Sequence, residues 1–363
     1  MQEELYWLGF SFFHGIGPTK FQLLLDQFWT AENAWNATEL ELAHSGIGVK
    51  VTQDFLEFRR KFEPKAYAEK LEKSNVSYLI SSHPHYPQLL KEIKSPPFVL
   101  YVRGDTGLLS QESKYIAVVG TRKITDYGRQ VTEALVTDLA SVGCIIVSGL
   151  AMGVDAVAHA ATLRAGGKTV AVLGCGVDCC TPRENEALYN EIIATGGAVI
   201  SEAPLSQPSF KGSFPSRNRI IAGLCQGVLV TEGAEDSGSL ITANDARKNN
   251  RLIFAVPGPI TSAVSRGPIA LIANGAKMVV SANDILRELG MQSNTLIKRK
   301  EHIKADTKEE QCVLDILINE QLHFDELVKR TGLVSSQLGT ILTLMEMKGW
   351  VTNTDSGAFT IAS

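Results

Sequence analysis

The residues best suited to chemistry stand together between Phe210 and Ile220, where the chain reads FKGSFPSRNRI as a loop ahead of a helix expected to be entered at Ile220-Ile221. Three cations, Lys211, Arg217 and Arg219, alternate there with two aromatic rings, Phe210 and Phe214, and with the amide of Asn218. An unstacked nucleic-acid strand asks for that mixture, because its phosphates need positive charge and its bases need flat faces to stack on. The same residues also admit a structural reading, with the phenylalanines in a core and the arginines in ion pairs, Arg219 more so than Arg217.

Further candidates follow short apolar runs. Val118-Val119 leads into Gly120-Thr121-Arg122 ahead of a helix expected from about Tyr127. That is the phosphate position of a Rossmann sheet, outside the carboxyl end of a strand and at a helix N-terminus. The dinucleotide fingerprint is missing, since the next glycine comes only at Gly128, and Arg122 offers a guanidinium fork for a phosphodiester instead. A surface arginine after a strand is also often merely solvated. Ser148-Gly149 opens the loop after the next run, and Arg183 follows a third through Gly174-Cys175-Gly176. His159 reads as a packing histidine rather than a ligand or base.

The runs that must position these loops are Ile116–Val119, Ile145–Val147, Val170–Leu173, Val199–Ser201, Val228–Thr231, Leu252–Val256 and Met278–Val280, with helical stretches between them. Short strands that are apolar on both faces belong to a parallel sheet covered by helices on both sides. The predicted fold class is therefore α/β, an extended Rossmann-like doubly wound parallel sheet over residues 76–290. Residues 1–75 read as short amphipathic helices. Within them His14-Gly15-Ile16-Gly17 and Ser45-Gly46-Ile47-Gly48 separate helical patterns as a helix-hairpin-helix does. Such glycines either let backbone N–H groups approach a phosphate or simply make a tight turn, and both roles are open. Residues 291–307 have the polar composition of a linker. Residues 308–363 show three helical patterns and two short strands about Asp355-Ser356-Gly357, the pattern of a winged helix.

A chain of 363 residues exceeds what one core usually organises, so two or three domains are expected. The net charge of −4 argues against a nucleic-acid partner unless a local basic groove stands out from acidic faces elsewhere. Six cysteines form no pair of CxxC units, which indicates neither a zinc site nor disulfides, and no cofactor motif is present. The start MQEELYWLGFSFFHGIG lacks the features of a secretory leader, and no apolar run reaches the ~18 residues that span a bilayer. A cytoplasmic protein without membrane insertion is expected.

The segments VVGTR, SGLAMGVDAVAH, FPSRNRIIAGL, EDSGSLITA and FAVPGPI, in that order, resemble the DprA (Smf) family from about Ser77 to Leu286. The helical head and winged-helix tail are similar to accessory domains of that family. The resemblance implies a Rossmann-like domain that forms a homodimer around Leu240–Ile272. It also implies cooperative binding of single-stranded DNA without strong sequence preference, and help in loading a RecA-type recombinase during natural transformation. By motif match it assigns nucleic-acid binding to Arg122, Arg183 and the Phe214-to-Asn218 loop with its Arg217 and Asn218. Gly120, Thr121, Ser148, Gly149, Lys211, Arg219, Gly238 and Ser239 are expected beside them as further nucleic-acid-binding residues, with no catalytic or metal-binding residue. Two departures stand out: Met152 occupies a position often basic in the family, and Arg266-Gly267-Pro268 replaces its usual context near the expected dimer segment.

Two rival functions remain. The domain is distantly similar to LOG-type phosphoribohydrolases, but Ile241 and Thr242 stand where those enzymes carry glutamates, and Glu202 and Glu232 read as capping or ion-pair residues. A regulator reading duplex DNA through the winged helix is the other. Its expected recognition helix, from Ser335 to Ile341, carries no Lys or Arg in its first two turns.

Overall fold

The computed structural model describes residues 2–109, 114–210, 212–291, 305–317, 320–354 and 357–361. They fall into two compact units, residues 1–291 and 292–363.

The first unit opens with the helices α1 (Gln2–Phe12), α2 (Pro18–Phe28), α3 (Ala31–Asn36), α4 (Glu39–His44), α5 (Val49–Arg59) and α6 (Pro64–Lys73). Their boundaries follow local chemistry. Pro18 and Pro64 open α2 and α6, where a missing N–H costs nothing. Thr38 and Glu41 close a capping box on α4. The turn into α5 uses Gly46 and Gly48, whose φ of 83° and 93° only glycine adopts without strain. The helices bury Trp7, Phe10, Phe21, Trp35 and Phe55 in a core continuous with one face of the sheet through Tyr101, whose hydroxyl lies 2.5 Å from Ser11 Oγ.

The sheet contains β1 (Ser77–Ile80), β2 (Val99–Gly104), β3 (Tyr115–Val119), β4 (Ile145–Ser148), β5 (Thr169–Val172), β6 (Ala198–Ser201), β7 (Gly227–Val230), β8 (Leu252–Ala255) and β9 (Lys277–Met278). Their order is β1-β2-β6-β5-β4-β3-β7-β8-β9. From β6 across to β9 neighbours run parallel, while β1 and β2 add an antiparallel edge. The chain winds outward from β3 to β6 and then returns to place β7 on the other side of β3. That reversal is the switch point where Rossmann sheets hold ligands. The expected doubly wound α/β fold is present. Around the sheet lie the short α7 (Gln88–Lys91), then α8 (Asp126–Ser141), α9 (Val154–Arg164), α10 (Glu186–Ala194), α11 (Ser213–Leu224), α12 (Gly238–Lys248), α13 (Arg266–Ala273) and α14 (Ala282–Glu288).

The second unit holds α15 (Lys308–Leu317), β10 (Leu322–His323), α16 (Phe324–Thr331), α17 (Ser335–Met347), β11 (Val351–Asn353) and β12 (Ala358–Ile361). Gly332, in the left-handed region at φ 69°, ends α16. Val313, Leu314, Leu327, Leu338, Leu342 and Met345 make a separate core beneath a sheet of order β10-β12-β11. This is the winged helix that the tail predicts. Asp355 and Ser356 of its turn, and most of the linker expected at 291–307, lie outside the described residues. Among the described residues no helix is long and apolar enough to cross a membrane.

Candidate nucleic-acid interface

The loops beyond the carboxyl ends of β3, β4, β5 and β7 form a crest along one edge of the sheet. Glycine makes their close approach possible. A Cβ at Gly120 would lie 2.5 Å from Val154 Cγ2 and 2.6 Å from Glu232 O, and one at Gly153 would lie 2.2 Å from Thr121 O. In the space so made Thr121 N–H donates to Glu232 O at 2.8 Å, and Val154 N–H to Thr121 O at 3.1 Å. The crest after β3 is thereby tied to those after β4 and β7.

Arg122 emerges from this knot exposed to solvent, its guanidinium carbon 5.4 Å from the ring centroid of half-buried Phe214 on the first turn of α11. Lys123 beside it is also exposed, and its N–H donates to Thr121 Oγ1 at 3.1 Å. Sequence reading passed over Lys123, although its place next to Arg122 beyond a strand end was a usable signal. Arg183 is exposed on the loop after β5. Two residues on, buried Asn185 donates from Nδ2 to Leu150 O at 2.9 Å, tying that loop to the one after β4. Among the described residues neither Arg122 nor Arg183 forms an ion pair. Met152, 43% exposed, lies in the loop after β4.

The remaining candidates divide differently. Lys211 lies outside the described residues. Arg217, expected on the surface, is buried at 6% exposure beneath the crest. Its Nη1 donates to Gly149 O at 2.6 Å and also to Val172 O, joining the ends of β4 and β5, and its Nε donates to Asn218 Oδ1 at 3.1 Å. Gly149 leaves room for it, since a Cβ there would fall 2.2 Å from Arg217 Nη1. Buried Asp155 accepts from Gly149 N–H at 3.1 Å. Burial pushes its carboxyl up from the usual range, and the charge of Arg217 pulls it back down. Arg217 is therefore a strut under the crest. Ser148 is likewise internal, donating to Val118 O at 2.6 Å. Arg219 pairs with Glu202. Asn218 Nδ2 reaches Gly238 O at 3.4 Å, next to buried Ser239, whose N–H is capped by Ser237 Oγ at the start of α12.

The helical register explains these placements. Phe214-to-Asn218, expected as a loop before a helix entered at Ile220, is the start of α11, which begins at Ser213. Arg217 then shares the inward face with Ile220, Ile221 and Leu224, at steps of three, four and seven. That spacing was the available sign that Arg217 points to the core.

At the switch point the phosphate position of a nucleotide-binding sheet holds a carboxylate of the protein. Glu232, 2% exposed, accepts from Thr125 N–H at 3.0 Å and from Thr125 Oγ1 at 2.5 Å at the N-terminus of α8. Gly128 makes way for it, a Cβ there meeting Glu232 Oε2 at 2.1 Å. His159 is fully buried, its Nδ1 2.7 Å from Thr169 Oγ1. That hydroxyl donates its single proton to Ile146 O, so His159 must be the donor at Nδ1. Burial lowers its pKa to about 3, so it stays neutral and packs. Among the described residues no His, Cys, Asp and Glu cluster can hold a metal.

A family model described as DNA recombination-mediator protein A matches residues 77–290, and one described as the DprA winged helix domain matches residues 298–357. The chain belongs to the DNA recombination-mediator protein A family. It is 40% identical over 291 residues to Protein Smf of Synechocystis, covering 79% of this chain and 73% of that relative. It is also 40% identical over 278 residues to DNA processing protein DprA of Bacillus subtilis, covering 73% of this chain and 90% of that one. The crystal structure of DprA from Streptococcus pneumoniae superposes with a TM-score of 0.69 at 34% identity, covering 79% of this chain and 98% of that one. DprA from Helicobacter pylori, whose structure is described for its single-stranded DNA binding mode, gives 0.53 at 32% identity, with 62% and 96% covered. Like its family, this chain is a recombination mediator acting in DNA processing.

Proposed function

We propose that the chain binds single-stranded DNA along the crest of its parallel sheet and places a RecA-type recombinase on that strand in natural transformation, in the cytoplasm. It works as a homodimer through the domain at 76–290 and performs no catalysis of its own. The segments at 1–75 and 308–363 serve as accessory domains, joined in the latter case by a linker at 291–307.

The observation that carries this reading is the approach of exposed Arg122 to the ring of Phe214, with exposed Lys123 beside Arg122 and exposed Arg183 on the loop after β5. A cation track with an accessible ring suits phosphates and bases together. The location of this crest within the span matched by the family supports it. Against the phosphoribohydrolase reading, Glu232 fills the phosphate position, Glu202 is in an ion pair, and Ile241 and Thr242 offer no carboxylate. Against the duplex regulator, α17 exposes Ser335, Ser336, Gln337 and Thr340 in its first turns, with no cation for a base edge.

The deciding experiment is competition. An oligothymidylate should bind, nucleoside monophosphates should neither displace it nor lose their base, and duplex should compete weakly. Displacement by a monophosphate together with release of free base would move the assignment to the enzyme.

A further inference from the structure

A cavity of about 430 Å³ lies where the helical head meets the sheet, at the ends of β5 and β6. That volume is within the range of small-ligand sites. His14 and Gly17 of the first glycine turn form one wall, and Phe210, Ser216, Glu202 and Arg219 line the other. Arg219 donates through Nη2 to Glu202, while its buried Nη1 has no partner. A buried donor left unpaired costs stability that an acceptor placed there restores. Phe210 is 58% exposed, an unusual state for a phenylalanine at a cavity rim.

We infer that this cavity takes a nucleobase extruded from the bound strand, and guanine in preference to the others. The inference rests on the strand-binding reading above. Among the bases only guanine places two adjacent donors, N1–H and N2–H, beside an acceptor, O6. The Glu202 carboxylate can accept from both donors while Arg219 donates to O6, and Phe210 supplies a stacking face. Burial raises the Glu202 carboxyl and Arg219 lowers it, and the two side chains keep 27% and 20% of their surface open to solvent. A free guanine nucleotide has the same recognition edge, and the test separates the two sources. The head thereby acquires a part in strand binding that the crest alone does not give it.

The test compares oligothymidylates of one length carrying a single dG, dA, dC or abasic position, by fluorescence anisotropy on the full chain. The dG strand should bind about tenfold tighter than the others, the scale of one good bidentate contact. Glu202→Gln should remove that advantage and leave affinity for plain oligothymidylate unchanged. Phe210→Ala, at an exposed ring, should also reduce it with no change in melting temperature, which covers the case of Glu202→Gln failing to fold. Suppression of the dG advantage by added dGMP, with plain oligothymidylate still bound, would place a guanine site in the cavity filled from the free pool. Equal affinity for dG, dA, dC and abasic strands would overturn the inference. Failure of plain oligothymidylate to bind would instead overturn the strand-binding reading itself.

Discussion

The guanidinium of Arg122 and the ring of Phe214, 5.4 Å apart, join the loop after β3 to the first turn of α11. A cation held over an aromatic face is favourable by about 0.5–1 kcal/mol when exposed, enough to bias both side chains before a strand arrives. Charge and stacking surface are thus presented as one unit, and substitutions at the two positions should not be additive.

The charge half of that unit has a thermodynamic signature. Each lost phosphate contact on a single strand lowers the slope of log K against log salt by about 0.7. Arg122→Ala should flatten the slope by about that amount and weaken binding to every sequence alike. Arg122→Lys should keep the slope and lose part of the affinity. An unchanged slope and affinity for oligothymidylate in the alanine variant would remove Arg122 from the interface.

Phe214 and Arg217 sit three residues apart on α11, yet they should fail in opposite ways. Phe214→Ala should cost about 1–3 kcal/mol of strand affinity and little folding stability, because the ring is only half-buried. Arg217→Met removes the donors to Gly149 O and Val172 O and leaves Asp155 buried without its cation, a loss of about 3 kcal/mol or more in folding stability. Thermal melts beside binding titrations separate the two, and a Phe214 variant that melts like a core truncation would place the ring in the core.

His159 should make the sheet domain acid-sensitive. Burial holds its pKa at about 3 when folded, against the ordinary imidazole value of 6.5, so the unfolded chain binds the proton more tightly. The stability this histidine contributes is complete above about pH 6.5 and drains away as pH falls toward 3, by about 1.4 kcal/mol per unit. His159→Gln should lose that part of the slope in denaturant unfolding across this window. Parallel slopes for the parent and the variant would assign the acid sensitivity elsewhere.

Homodimerisation is expected near Leu240–Ile272, where Ile241 is 44% exposed and Ile260 86%. The double variant Ile241→Lys with Ile260→Lys should shift light scattering at micromolar concentration from dimer to monomer, with melting of the protomer retained. A dimer of undiminished strength would move the interface off this face.

The strands β3 to β8 were legible because each is a short, mostly apolar run buried on both faces, the pattern of a covered parallel sheet. The start of α11 was not. SFPSRNR reads as a loop ahead of Ile220, yet Pro215 is the third residue of the helix, within the first turn, where proline's missing N–H removes no intrahelical bond. With the helix start misplaced, the inward phase of Arg217 went unseen. The part played by Glu232 was beyond local reading for another reason, since its partner Thr125 lies 107 residues earlier in the chain. Patterns of period two or four report a residue's own element, not which distant loop will fold over it.

The carboxylate of Glu232 at the head of α8 also bears on how the domain meets ATP and other phosphorylated metabolites. A Rossmann seat left open would be occupied most of the time by whichever of them was abundant, and its behaviour would follow the energy state of the cell. With that seat filled from within the chain, a phosphate group finds its place beside Thr125 at the switch point already taken by a carboxylate.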